Sequence, residues 1–212
     1  MQKLPNVAFI HGSGQSGLSF NYLQVFLPEH NLVELEYQTQ EDPQIILKRF
    51  DAVIQANFGN EPFSVVAHSY GCLLSALFAD RCKNIDGIIA LSSPWGGSQT
   101  AKWLNMVFRQ SRLFMNTNPK SAFVQEVQDV YLDIPVTNVV TTGSPGAGNL
   151  LAGMGNQHND GLLTVATQKK IPQGFSDVDT IEVPLSHNEV LMCYDTVNII
   201  KNKFFGGYNG NS

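Results

Sequence analysis

Cysteine is scarce in this sequence, with three among 212 residues, and an odd number builds no disulfide framework. Cys72 and Cys82 fall on one predicted helix, too far apart along its axis to bridge, so the thiols read as reduced and partly buried. Charge is sparse as well. Asp, Glu, Lys and Arg make up 15% of the chain, and thirteen basic residues against eighteen acidic ones leave a net charge of −5. No basic cluster exceeds Lys169-Lys170, so a polyanion would be repelled, which argues against a nucleic-acid partner. No apolar run reaches the roughly 18 to 20 residues that a bilayer span requires. No charged start, apolar core and cleavage site precede the first strand, so the chain reads as cytoplasmic and without a transmembrane segment. At 43% hydrophobic residues, and without internal repeats, residues 1–212 read as one globular domain ending in a glycine- and asparagine-rich tail.

Strands and helices alternate along the chain. Asn6 to Ile10 is a short apolar strand that runs into the glycine-rich loop His11-Gly12-Ser13-Gly14-Gln15-Ser16-Gly17, and Ser19 to Leu27 reads as a helix stopped by Pro28. Asn31 to Glu36 is a second strand. From Pro43, suited to a first helical turn, Ile46, Phe50, Val53 and Ile54 recur at helical spacing until Phe58-Gly59. Phe63 to Ala67 reads as a strand, Gly71 to Ala79 as a helix and Ile85 to Leu91 as a strand. Val136 to Thr142 and Thr180 to Val183 follow as strands, and Asn188 to Lys201 as a helix. Such alternation predicts an α/β fold, a mostly parallel sheet with helices on both faces and its reactive loops at the carboxyl ends of the strands.

The most informative segment is Phe63-Ser64-Val65-Val66-Ala67-His68-Ser69-Tyr70-Gly71-Cys72. A β-branched run breaks into small residues around one serine and resumes as helix, as in a nucleophile elbow that lifts a hydroxyl clear of a sheet. Ala67 stands where the usual G-x-S-x-G pattern has glycine. The competing reading is an ordinary strand, turn and helix with an incidental serine. A serine nucleophile needs a base and an acid, arriving later in the chain in the order acid, then histidine. Of five histidines, His187 fits the base, since it follows a strand and precedes the last helix. Asp160, in Asn159-Asp160-Gly161, is favoured as the acid over Asp133, Asp177 and Asp179, although Asn-Asp-Gly is also plain turn chemistry.

Two backbone amides would have to hold the oxyanion, one from the residue after the nucleophile and one from the loop after an early strand. Those positions are Tyr70 and Ser13. Gly12-Ser13-Gly14-Gln15-Ser16-Gly17 also fits the letters of a dinucleotide-binding G-x-G-x-x-G, with Glu34 and Glu36 at the right distance. That reading leaves the elbow, Asp160 and His187 unexplained.

Together these residues resemble the α/β-hydrolase superfamily, and within it the small bacterial lipases and esterases whose elbow also begins with alanine. The resemblance runs from Val7-Ala8-Phe9-Ile10-His11-Gly12 through Ala67-His68-Ser69-Tyr70-Gly71 and Leu91-Ser92-Ser93-Pro94-Trp95-Gly96-Gly97-Ser98 to Asp160-Gly161 and His187. It implies a reduced α/β-hydrolase fold of about six strands, because the family's usual first two strands have no counterpart before Asn6. It also implies hydrolysis of carboxylic esters through an acyl-enzyme on Ser69, with no metal or organic cofactor. A thioesterase or acyltransferase of the same fold is the alternative, and a non-catalytic ligand-binding member a remoter one. The expected partner is a small acyl ester, lipid-like in its apolar acyl group. Residues 94–130 form the longest interval without an evident strand and are expected to hold a helical cap. Trp103, Leu104, Val107 and Phe108 share a helical stripe there, which either packs on the sheet or faces substrate. Trp95, Trp103, Val107 and Phe108 are the candidate substrate contacts.

Overall fold

A computed structural model of the chain describes residues 5–28, 31–98, 116–143 and 157–206. Its centre is a six-stranded, wholly parallel sheet of β1 (Asn6–Ile10), β2 (Leu32–Glu34), β3 (Phe63–His68), β4 (Ile85–Leu91), β5 (Leu132–Thr141) and β6 (Phe175–Val183), in the spatial order β2-β1-β3-β4-β5-β6. The helices are α1 (Asn21–Val25), α2 (Pro43–Asn57), α3 (Tyr70–Arg81), α4 (Ala122–Gln128), α5 (Val165–Gln168) and α6 (Tyr194–Phe204), with 3-10 turns at Gly17–Phe20 and Glu189–Met192.

Alternation along the strands sorts the core into two layers. Ala8, Ile10, Val65, Ala67, Ile88, Ala90 and Val136 face α2, α3 and α4 through Ile46, Phe50, Leu73, Phe78, Phe123 and Val127. On the opposite face Val7, Phe9, Val66, Ile89, Leu91 and Val139 meet Phe20, Leu23, Leu191, Val197 and Ile200. The central strands are buried on both faces, which is why they read as unbroken apolar runs. α2 starts as its sequence suggests, with Pro43 in its first turn and the Asp42 carboxylate accepting from Gln44 N–H.

Three starts differ from the sequence reading by four residues or more. β6 begins at Phe175 rather than Thr180, because an edge strand tolerates the exposed Ser176, Asp177 and Asp179 that make it look like a loop. β5 begins at Leu132 and carries Pro135 at a register shift against β6, the kind of irregularity at which a strand admits proline. The last helix starts at Tyr194, separated from the 3-10 turn by an extended Cys193. Within 94–130, α4 packs into the α2–α3 layer through Phe123, Val124 and Val127. The stripe of Trp103, Leu104, Val107 and Phe108 lies outside the described residues.

The chain runs outward from β1 to β2, then returns to β3 on the other side of β1. At this reversal the loops after β1 and β3 meet at the carboxyl edge of the sheet, where ligands of open parallel sheets bind. Gly71 makes the close approach there possible, since a Cβ would collide with the carbonyl oxygens of Ile10 and His11. Gly71→Ala is therefore expected to cost about 1–3 kcal/mol, measured as a lower midpoint in urea unfolding. An unchanged midpoint would mean that the two backbones can separate freely.

Candidate active site

Ser69 occupies the turn between β3 and α3 at φ 53°, ψ −123°, a region that costs an L residue on the order of 1–3 kcal/mol. The surroundings hold it there. Ser69 N–H donates to Leu91 O at 2.9 Å, extending the β3–β4 ladder by one bond, and Cys72 N–H donates to Ser69 O at 2.9 Å. The Ala67 methyl is fully buried, so alanine fits where the usual elbow has glycine. Burial pushes the neighbouring Cys72 thiol up, far from any thiolate. Among the described residues all three cysteines are free thiols.

His187 lies in the loop after β6, and its main-chain N–H donates to Asp160 O at 3.0 Å. Its Nε2 is 2.9 Å from Ser69 Oγ and its Nδ1 2.9 Å from Asp160 Oδ2. Because a carboxylate only accepts, Nδ1 carries the proton, which leaves Nε2 as the acceptor of the Ser69 hydroxyl proton. Serine and histidine are 118 positions apart in sequence, and the crossing of the chain over the sheet brings them together.

Asp160 belongs to a tight loop closed by an Asn159–Thr164 bridge. The two carboxylate oxygens divide their partners between the turn and the His187 ring. Oδ1 accepts from the N–H groups of Leu162 and Leu163 at 2.9 and 2.7 Å, as in an Asx-type turn. Oδ2 accepts from His187, from the Thr141 hydroxyl at 2.6 Å and from Gln168 Nε2 at 3.2 Å. Burial would raise the Asp160 pKa, but the hydrogen bond and charge of His187, with the donors Thr141 and Leu163, outweigh it and hold the carboxyl below its usual range. Asp160 is thus ionised in the interior, as a partner of an imidazolium must be.

Gln168 and Thr141 were not legible as site residues. Gln168 reads as a surface residue of a polar stretch, yet it is fully buried and brackets Thr141, accepting from its N–H at 2.9 Å and donating to its carbonyl at 3.0 Å. Thr141 carries one weak signal, its place at the carboxyl end of a strand. Trp95 is not brought to the site. It is fully buried, its Nε1–H donates to Asn138 Oδ1 at 3.0 Å and its ring packs edge-on against Phe175. Asn138 in turn donates to Gln168 O at 3.1 Å, so Trp95 supports the acid's side of the sheet from beneath.

The loop after β1 abuts the elbow, since a Cβ on Gly12 would come within 3.2 Å of Ser69 Cβ and 2.9 Å of His68 Nδ1. Ser13 follows Gly12 in this loop, and Tyr70 opens α3 directly after Ser69. The same loop is poorly disposed to hold a pyrophosphate. Gly12, Gly14 and Gly17 donate their N–H groups to Gln15 Oε1, Thr39 Oγ1 and Glu36 Oε1 at 3.0, 2.9 and 2.6 Å, so the amides are engaged and a carboxylate sits among them. Among the described residues no group of three or more His, Cys, Asp and Glu side chains is placed to hold a metal ion, and no helix is long and apolar enough to cross a membrane.

A sequence family described as alpha/beta hydrolase matches residues 37–131. No curated protein matches the sequence. Among solved structures, a mature Bacillus licheniformis lipase superposes with a TM-score of 0.71 at 15% identity, covering 95% of this chain and 92% of the lipase. An esterase from Pyrococcus furiosus gives 0.63 at 16% identity over 98% of this chain and 84% of its own. Phospholipase PlaB from Legionella pneumophila gives 0.64 at 15% identity; 78% of this chain is covered, which spans 45% of the phospholipase. At these identities the likeness is one of fold.

The site also fixes how stability responds to acid. Burial, and then the charge of the adjacent His187, push the His68 imidazole from 6.5 down to about 3. The unfolded chain therefore binds a proton between those values that the folded chain refuses. His68's contribution is complete above about pH 6.5 and is lost as pH falls toward about 3. Urea unfolding across this window is expected to show a shallower loss of stability in His68→Gln than in the wild type, and parallel curves would contradict a neutral His68.

Proposed function

We propose, from the alpha/beta hydrolase family match over residues 37–131 and the likeness in fold to a lipase, that the chain is a serine hydrolase cleaving carboxylic esters with an apolar acyl group through an acyl-enzyme. The observation that carries this reading is the unbroken hydrogen-bond chain from Ser69 Oγ through the His187 ring to Asp160, at 2.9 Å for each link. Serine is a weak nucleophile until a base takes its proton, and the base must be held in one tautomer. Both requirements match this arrangement.

In the proposed reaction Ser69 Oγ attacks the ester carbonyl carbon as its proton passes to His187 Nε2. The carbonyl oxygen becomes an oxyanion and is met by the N–H groups of Ser13, in the loop after β1, and of Tyr70, at the start of α3, where the helix dipole favours negative charge. The imidazolium, stabilised by the ionised Asp160, returns the proton to the leaving alkoxide. Water then attacks the acyl-enzyme with His187 as base, releasing the carboxylic acid and restoring the hydroxyl. The relatives in fold are named as lipase, phospholipase and esterase, which favours a lipid-like ester. The stripe of Trp103, Val107 and Phe108 within a cap over residues 94–130 is the proposed acyl contact.

A panel of p-nitrophenyl esters of increasing acyl length tests the reading. Wild type is expected to show a chain-length optimum and Ser69→Ala only background hydrolysis; equal rates for the two would remove the assignment. Asp160→Asn should lower kcat on the order of 10⁴-fold with KM little changed, because an amide at this position favours the wrong imidazole tautomer. A loss under tenfold would assign the acid's role elsewhere.

A further inference from the structure

The imidazole of His68, the residue immediately before the nucleophile, has no part in the reaction above, yet it is buried among the residues that do. Its ring centroid is 4.9 Å from that of His187. Nε2 lies 2.9 Å from the His187 main-chain carbonyl oxygen, and Nδ1 lies 3.0 Å from Gln15 Oε1. Gln15 Oε1 also accepts the Gly12 N–H at 3.0 Å, and Gln15 Nε2 reaches Asn188 Oδ1 at 3.4 Å. Three segments distant in sequence thus converge on one ring: the oxyanion loop, the elbow and the loop that bears the base.

We propose that His68 is a positioning residue, clamping the main chain of His187 through an Nε2–H···O=C bond, with Gln15 fixing the ring from the side of the oxyanion loop. This rests on the serine-hydrolase reading. A neutral imidazole carries one N–H and faces two oxygens here. The main-chain carbonyl of His187, 2.9 Å from Nε2, can only accept, whereas the Gln15 amide can turn by half and present an NH2 group to Nδ1. The proton therefore belongs on Nε2. Nδ1 is left as the acceptor of the turned Gln15 NH2 group, at the expense of the Gly12 N–H bond to that amide. His187 sits in a loop, not in a helix or strand, and its own N–H is tied to Asp160 O at 3.0 Å. Anchoring its carbonyl to the elbow fixes the peptide on the opposite side, so that the imidazole tracks the hydroxyl when the backbone fluctuates.

The test combines kinetics with imidazole nitrogen NMR of the whole chain. His68→Phe keeps the ring volume and removes the donor, and its kcat for p-nitrophenyl butyrate is expected to fall about a hundredfold with KM within about twofold of wild type. His68→Gln places an NH2 group near the position of Nε2 and is expected to stay within about fivefold of wild type. His68→Phe at the wild-type kcat, or His68→Gln falling as far as His68→Phe, would overturn the clamp. Should His68→Phe not fold, the half-buried Gln15 decides, since Gln15→Leu is expected to lose about tenfold in kcat and an unchanged rate counts against the clamp. The NMR spectrum is independent of turnover. A neutral Nε2–H tautomer for His68 supports the clamp and the Nδ1–H tautomer overturns it. Wild type with no ester turnover would instead bring down the hydrolase reading while leaving the spectrum to decide the clamp.

Discussion

Ser69 is held in a backbone conformation that an L residue resists, and the site is arranged around the means of holding it. Its N–H is bonded to Leu91 O in the next strand, its carbonyl accepts from Cys72 N–H, and Gly71 lets β1 pass close enough to lock the turn. A relaxed turn at this position would swing the hydroxyl toward the sheet and away from His187. The strain is tolerated because the flanking elements, β3 and α3, are almost wholly buried, so loosening the elbow would disturb closely packed core.

The opposite end of the hydrogen-bond chain is governed by a different balance. Asp160 is an ionised carboxylate with almost no exposed surface, a placement that would be prohibitive without partners. It has five donors: two main-chain N–H groups on one oxygen, and Thr141, Gln168 and His187 on the other. Such a network rigidifies when every member is satisfied. Gln168 is itself fixed through Thr141 and, by way of Asn138, through the indole of Trp95. Asp160 is held from the β5 side of the sheet and Ser69 from its centre. Among the described residues, His187 is the only side chain that bonds directly to both.

The parts of this arrangement that follow from local chemistry were legible in the sequence. The strands Asn6–Ile10 and Ile85–Leu91 have the boundaries that their apolar runs suggest. Ser69 stands out because a β-branched run stops abruptly at small residues, and the order serine, aspartate, histidine with intervening strands points to Asp160 and His187, which the structure brings within hydrogen-bonding distance. What was not legible depends on tertiary burial. Gln168 sits among Thr, Lys and Lys and looks solvated. Trp95 was a candidate substrate contact, but its indole meets a buried amide partner. The polar start of β6 hides an edge strand. His68 looks like a filler in a five-residue pattern, and only the crossing of the loop after β6 reveals that it faces a carbonyl 119 positions away.

The most direct test of the central claim is to map the covalent adduct formed with a fluorophosphonate. Peptide mass spectrometry of the labelled chain is expected to place a single phosphonyl group on Ser69, with labelling slowed in proportion to activity when His187 is replaced by alanine. A chain that takes up no label at Ser69, or that takes it up equally without His187, would contradict an activated serine.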